Sequence, residues 1–409
     1  MNPPCVRRRL RNLLFAAAGA IVRGRRAPIA RSSRSRVCFI IAHAWGTGGT
    51  IRSTFTTTQA LSGDHEMTIL SLVRLRDKSG LPLPEGVRLI TVDDQRSGRR
   101  RGTVERLLRH VRSVLIPRDD GLSQRCSLWT DILLIRALRR LDADVIVGTR
   151  PSLTAVLVAL RPRGAKLVGQ EHLNLETRPA RSHPYLLANY AQLDALVALT
   201  ERDRVAYADR LPSTAVRSIA NAVPDLAPLE PDRQPIILSV GRLSGQKAHA
   251  RLLEAFAPIA ERHPQWQLRI CGTGPQEGPL AKRIEELGLA GRAVLLGNVR
   301  DIEREYALAS VFALSSRYEG FPMVLLEAMS RGVPIVAMDC PTGPGELIED
   351  GRNGLLTPVD DVAALTEGLL RLVEDPELRE RLAAAGLETS EEYRVPRIAE
   401  QWRDLLIHL

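Results

Sequence analysis

Twice along this chain a short apolar run ends in a glycine-bearing loop that leads into a helix and then into another apolar run. That rhythm of strand, loop, helix and strand restricts the fold to parallel α/β architecture. The first instance begins at Val37-Cys38-Phe39-Ile40-Ile41-Ala42, which has the length of a buried strand. It runs into Trp45-Gly46-Thr47-Gly48-Gly49-Thr50, a tight loop that the glycines are expected to permit. A helix to about Leu61 and a strand at Met67–Val73 follow, and further strands are expected at Val87–Val92, Val145–Gly148, Lys166–Gly169 and Ala195–Leu199. Between them, Arg96–Pro117 is strongly basic and carries Val104, Leu107, Leu108, Val111 and Leu115 at helical spacing.

The pattern restarts after residues 221–235, where four prolines in fifteen residues mark a linker. Strands are then expected at Ile236–Val240, Gln267–Cys271, Val294–Leu296, Val311–Leu314 and Val333–Met338, with helices at Ala248–Arg262, Pro279–Leu287 and Val362–Leu372. A chain of 409 residues is too long for one ordinary core. The expected division is a basic segment 1–36, a Rossmann-like domain 37–225, a second Rossmann-like domain 235–390, and a helix 391–409 packing back towards the first domain. Two such domains would face each other across a cleft.

Charge separates the two halves. Residues 1–230 carry 37 Lys and Arg against 20 Asp and Glu, a formal +17, whereas residues 231–409 carry 20 against 27, a formal −7. Ten arginines and no acid lie within residues 1–36. Such asymmetry calls for an anionic partner of the first half, either an anionic membrane surface or nucleic acid. An aromatic content of 4% disfavours a stacking platform for single strands. The apolar run Leu13–Val22 is ten residues long, half of what a spanning helix needs. An interfacial basic helix is the preferred reading there, ahead of a basic tail or an export signal. The five cysteines form no C-x-x-C pair, which suits a reducing cytosol and offers no zinc site.

The richest chemistry lies in Ser315–Met329. Pro322 suits the first position of a helix and Gly332 its end, so the helix N-terminus is expected to offer free N–H groups to an anion. Glu319 precedes that helix and Glu327 lies on its face; such carboxylates can grip sugar and ribose hydroxyls. A departing diphosphate develops negative charge and needs cations. Arg242 and Lys247 flank a glycine-bearing turn at the end of Ile236–Val240, where ligands bind in open α/β sheets. Asp142-Ala143-Asp144 precedes a strand and reads as a turn, so neither a metal nor another cofactor is expected. Gly272-Thr273-Gly274-Pro275 and Leu296-Gly297-Asn298-Val299 make two more strand-end loops, able to present backbone groups to a base or to act as plain turns.

Taken together, these residues resemble the retaining nucleotide-sugar glycosyltransferases of family 4, which have the GT-B fold. The matching stretches are Val240-Gly241-Arg242 with Gln246-Lys247, Gly272–Pro275, Glu319–Pro322 with Leu326–Met329, Gly332–Ala337 and Asn353–Leu356. The resemblance implies that Arg242 and Lys247 hold the donor diphosphate, Glu319 the transferred sugar and Glu327 the ribose. It further implies donor-side contributions from Gly274, Asn298, Gly320 and Phe321, closure of Gly48 and Gly49 on the donor, and His172 near the reacting carbon. Thr200, Glu201 and Asn221 match the end of the first domain. Ala248 stands where glycine is usual after Lys247. The resemblance implies transfer of a hexose with retention from a nucleotide-sugar, UDP by default; the basic first half points to a lipid-linked or polymeric acceptor of the cell envelope, at the cytoplasmic face of the membrane, with no nucleic acid expected. Nucleic-acid binding, a nucleotide-sugar epimerase and a non-catalytic membrane scaffold are the rival readings; the first leaves the acidic second half unexplained.

Overall fold

The computed structural model describes residues 15–23, 34–99, 101–223 and 231–409. Two compact units emerge. Unit 1 comprises residues up to Leu199 with Asp203–Ile219 and Ile398–Leu409, and unit 2 comprises Thr200–Arg202 with Ala220–Arg397.

Unit 1 holds a parallel seven-stranded sheet. Its strands are β1 (Arg36–Ile41), β2 (Glu66–Arg74), β3 (Arg88–Asp94), β4 (Val145–Gly148), β5 (Lys166–Gln170), β6 (Ala195–Ala198) and β7 (Ala215–Ser218), in the spatial order β3-β2-β1-β4-β5-β6-β7. Unit 2 holds a parallel six-stranded sheet of β8 (Gln234–Val240), β9 (Gln267–Cys271), β10 (Ala293–Gly297), β11 (Ala309–Leu314), β12 (Ile335–Met338) and β13 (Leu355–Thr357), in the order β10-β9-β8-β11-β12-β13. Both are doubly wound Rossmann-like α/β sheets, reversing direction between β1 and β4 and between β8 and β11. The central strands are buried throughout: Val37 to Ile41, Val145 to Gly148 and Ile335 to Met338. Helices cover both faces of a parallel sheet, which is why these strands read as continuous apolar runs.

The described part of the N-terminal run departs from the interfacial reading. Residues 15–22 are helical, and Ala18 and Val22 are buried against the core of unit 1, with Phe15 packed beside them. The Arg23 guanidinium donates to the Leu160 carbonyl at 3.2 Å. An apolar stripe spent on the protein core is not free for a bilayer. The remaining residues of 1–33 lie outside the described residues.

A second correction concerns Arg96–Pro117. The helix spans only Thr103–His110. Beyond it Arg112 bridges Ser127 in antiparallel fashion, and Leu115 is buried in the core. Asp131 draws the chain out of the helix, accepting from the Ser113 hydroxyl at 2.6 Å and the Val114 N–H at 2.7 Å.

The C-terminal helix, Val395–Ile407, carries the chain into unit 1 at Ile398. Trp402 is wholly buried there and meets Phe39 of β1 edge-on, with ring centroids 5.4 Å apart. An aromatic pair of that geometry adds about 1 kcal/mol to the burial itself. Trp402→Ala is expected to destabilise the fold by about 3–5 kcal/mol, read as a shift of the denaturant midpoint; a change below about 1 kcal/mol would show that the helix docks without its anchor.

Candidate active site

In unit 2 the loops that leave β8 and β11 flank the point where strand order reverses, and there the outgoing chains diverge and leave a crevice. The β8 loop is held by backbone contact. The Gly241 N–H donates to the Cys271 carbonyl at 2.9 Å, the Leu243 N–H to Thr273 at 3.1 Å, and the Gln276 N–H back to Leu243 at 3.0 Å. Only glycine permits so close an approach. A Cβ on Gly272, whose φ is +142°, would lie 1.9 Å from the Gly241 oxygen, and one on Gly274 would lie 2.3 Å from the Leu243 oxygen.

The β8 and β11 loops are then joined to each other. The Arg317 N–H donates to the Gln246 carbonyl at 2.9 Å, the Gln246 amide to Tyr318 at 2.8 Å, and the Ser315 hydroxyl to the Lys247 carbonyl at 2.9 Å. This brings Lys247 Nζ to 2.6 Å from Glu319 Oε1, with Glu319 only 6% exposed. The Lys247 ammonium thus serves the carboxylate and keeps two donors in reserve. Arg242 is exposed and has no acidic partner among the described residues. The Glu319 carbonyl accepts from the Thr342 hydroxyl at 3.1 Å.

The segment beyond Glu319 differs in detail from expectation. Pro322 is the residue before the helix rather than its first, because its ψ of 78° is not helical, and the helix is the short Met323–Met329. Two early N–H groups are already engaged, Met323 with the Phe321 carbonyl and Leu325 with that of Pro322, both at 2.9 Å. The free N–H array expected there is therefore smaller. Gly332, at φ +61°, ends the helix. Glu327 is 8% exposed and accepts from the Tyr306 hydroxyl at 2.9 Å, a partner with no sequence signature. Gly320 and Phe321 are partly exposed, Phe321 tilted against Tyr393 at 5.9 Å, and Asn298 is exposed just beyond β10.

Ala248 has a left-handed backbone, φ 47°, immediately before the helix His249–Arg262. That conformation costs an L-residue roughly 1–2 kcal/mol and costs glycine nothing, which accounts for glycine being usual at this position.

In unit 1, Gly48 precedes the helix Gly49–Leu61 with an ordinary extended backbone, and a Cβ on either glycine would meet nothing within 4 Å. These two leave open space, and the close packing expected of this loop falls at Gly46, where a Cβ would lie 2.6 Å from the His43 ring and 2.9 Å from Ile51. His172 follows β5, with Nε2 buried and without a partner, and burial pushes its imidazole down to about 4, so it is neutral at pH 7. Its neighbour Glu171 was not singled out from sequence. Glu171 is buried, pairs with Arg178 at 2.5 Å and accepts from the Tyr190 hydroxyl; burial pushes its carboxyl above the usual range against the pull of Arg178. Asp142 and Asp144 both pair with Arg36. Among the described residues no group of three or more His, Cys, Asp or Glu is placed to hold a metal ion.

Residues 227–389, within unit 2, match the family model for glycosyl transferases group 1. An exopolysaccharide phosphotransferase of Streptomyces coelicolor is 33% identical over 387 residues, spanning 91% of this chain and 41% of its own length. An uncharacterized glycosyltransferase of Haemophilus influenzae is 32% identical, over 52% of this chain and 61% of its own length. The chain thus spans about two fifths and three fifths of these relatives. Amylovoran biosynthesis glycosyltransferase AmsD of Erwinia amylovora is 29% identical over 59% and 70%. Among solved structures, Staphylococcus aureus TarM in complex with UDP superposes with a TM-score of 0.73 at 16% identity, covering 90% of this chain and 99% of that one. Anabaena HepE in complex with UDP and glucose gives 0.72 at 19%, covering 92% and 100%. The fold is that of the GT-B glycosyltransferases.

The dependence of the site on backbone contact is testable. Gly272→Ala is expected to destabilise unit 2 by about 2–4 kcal/mol, combining forced backbone strain with overpacking. Gly278→Ala, where a Cβ meets nothing, is the control. Equal midpoints for the two variants in denaturant would refute the close-approach reading.

Proposed function

We propose that this chain is a retaining glycosyltransferase of family 4 type that moves a hexose from a nucleoside diphosphate carrier, UDP by preference, to a hydroxyl of an envelope-glycan acceptor. The observation that carries the proposal is the Lys247–Glu319 pair at the carboxyl edge of unit 2's sheet, on whose β8 loop stands Arg242, exposed and without an acidic partner among the described residues. Arg242 can clamp two diphosphate oxygens and Lys247 can direct its remaining donors to a third. Glu319 then orients the sugar hydroxyls and Glu327 the ribose, while Gly274, Asn298, Gly320 and Phe321 line the donor side. These cations supply the positive charge, and no metal is assigned.

In the reaction the bond from the anomeric carbon to the diphosphate oxygen breaks, and its electron pair leaves with the diphosphate. The acceptor oxygen bonds to the same face of that carbon, and its proton passes to a diphosphate oxygen. No protein nucleophile is required. The neutral His172 would offer an unprotonated nitrogen or its carbonyl to the partly positive sugar. TarM and HepE, whose structures are complexes with UDP, and AmsD, whose name states amylovoran biosynthesis, support the donor class and the envelope setting.

Arg242→Ala is expected to lower kcat/KM by roughly a hundredfold, about 3 kcal/mol of transition-state stabilisation, with an unchanged unfolding midpoint. Near-normal turnover at subsaturating UDP-sugar would remove Arg242 from the donor site.

We also propose that the protein works at the anionic cytoplasmic face of a membrane, next to a lipid-linked or polymeric acceptor. Support comes from helix Thr103–His110, where Val104 and Leu107 are 66% and 68% exposed, and from Val111 just beyond its end, 45% exposed. Residues 96–118 around this ridge hold eight arginines and one acid. Each cation near an anionic leaflet contributes about 1 kcal/mol, and a wedge of apolar side chains adds insertion. Vesicles containing phosphatidylglycerol should bind the chain in a salt-sensitive way, and Leu107→Glu should weaken that binding about tenfold. Equal binding by the variant, or a preference for duplex RNA or DNA over vesicles, would contradict the membrane reading.

A further inference from the structure

We propose that His43, Arg76, Arg125 and Arg150, at the carboxyl edge of the seven-stranded sheet, form a binding site for an anionic group, a phosphate or a carboxylate, borne by the acceptor. The word acceptor rests on the transferase reading; the anion site rests on unit 1 alone.

Topology brings three of these residues together. Strands β2, β1 and β4 are neighbours, and β1 and β4 flank the reversal of strand order. Their registers pair Ile41 with Ser71 and Ile40 with Gly148, so β1 and β4 end within a residue of each other while β2 runs three residues further, to Arg74. The Val73 N–H donates to the Ala42 carbonyl at 3.0 Å, and the Thr149 hydroxyl to that of Ile40 at 2.9 Å. His43, Arg76 and Arg150 each stand two residues beyond the end of their strand.

The loops then fold onto one another. A Cβ on Gly46 would lie 2.6 Å from His43 Cε1, and one on Gly80 would lie 2.6 Å from the Thr47 methyl and 3.1 Å from the Gly46 oxygen. The loop after β2 therefore closes on the loop after β1, and the Arg74 guanidinium seats 4.5 Å above the Trp45 ring. Arg125 enters from the short 3-10 turn Gly121–Arg125. Its carbonyl accepts from the Gln95 amide at 2.7 Å, and Asp120, just ahead of that turn, binds Arg150 through two bonds of 2.9 and 2.5 Å.

Charge is what this arrangement leaves unbalanced. Arg150 has Asp120, but among the described residues Arg76 and Arg125 have no acidic partner. Both are exposed, and both bear on His43. Burial first, then the charges of Arg125, Arg76 and Arg150, hold the imidazole below its ordinary pKa. Like charges gathered at a sheet edge repel one another unless an anion enters, and guanidinium forks fit phosphate and carboxylate oxygens. The donor diphosphate has cations of its own, Arg242 and Lys247, in unit 2.

The test follows the His43 ring by NMR in the full chain, with UDP saturating the donor site and His43→Gln identifying the signal. Inorganic phosphate and acetate are added in separate arms, with glycerol as the neutral control. An anion beside His43 favours imidazolium, so its titration midpoint should rise with phosphate or acetate, the more effective arm naming the group. In Arg76→Ala/Arg125→Ala the anion-free midpoint should itself rise, because like charges are gone, and the anion-induced movement should be lost. Lys282→Ala, an exposed cation of unit 2 outside both sites, should keep the full response. A His43 midpoint indifferent to both anions, or an equal response in the double variant, overturns the proposal. UDP binding is followed in the same samples: its failure would sink the transferase reading, while His43 would still decide the anion site.

Discussion

The reversal of strand order in each sheet is the constraint on which everything else rests. Where connections leave neighbouring strands in opposite directions, no helix covers the gap between the strand ends, and loops from two distant parts of the chain must meet there. In unit 2 this brings the loop after β8 against the loop after β11. The meeting is made firm by backbone rather than by side chains. Gly272 and Gly274 let the turn at Gly241–Leu243 lie directly on the turn after β9. From that base, three hydrogen bonds between residues 246–247 and 315–318 fix where Lys247 and Glu319 point.

Much of this was legible in the sequence, for a physical reason. Strands buried on both faces are apolar throughout, so the core strands of both units announced themselves, as did glycine at the loops that follow them. Lys247 and Glu319 were each recognisable by their setting. Their pairing was not, because it joins residues 72 positions apart and depends on the loop contacts just described. The same holds for Tyr306, which serves Glu327, and for Glu171 with Arg178 and Tyr190. Helical spacing misled where tertiary bonds overrode it. Val111 and Leu115 continue the periodicity of Val104 and Leu107, yet Asp131 captures the Ser113 hydroxyl and the Val114 N–H and turns the chain away. Spacing also cannot say what a stripe faces: Ala18 and Val22 face protein, whereas Val104 and Leu107 face solvent.

Each carboxyl edge combines a paired cation with exposed arginines. At the unit 2 site Lys247 is paired with Glu319, and the exposed Arg242 has no acidic partner among the described residues. A carboxylate that is 6% exposed would be costly without that ammonium, because a lone buried charge forfeits several kcal/mol of hydration. The pairing is therefore a condition for placing an acid at the site at all. In unit 1 Asp120 engages Arg150, while Arg76 and Arg125, exposed and without an acidic partner among the described residues, bear on His43.

An ammonium suits the unit 2 arrangement better than a guanidinium would. Its three donors radiate from one atom, so Lys247 can keep its bond to Glu319 while turning the other two to an incoming diphosphate. A guanidinium bound bidentately to the carboxylate would hold it in one plane and commit its best-aligned donors to the protein. Entry of an anion next to the pair then raises no new desolvation cost for Glu319, whose partner stays in place. On the proposed reading, the group that makes the buried acid tolerable is the same group that receives the leaving charge, so Glu319 and the diphosphate are held in register by one atom.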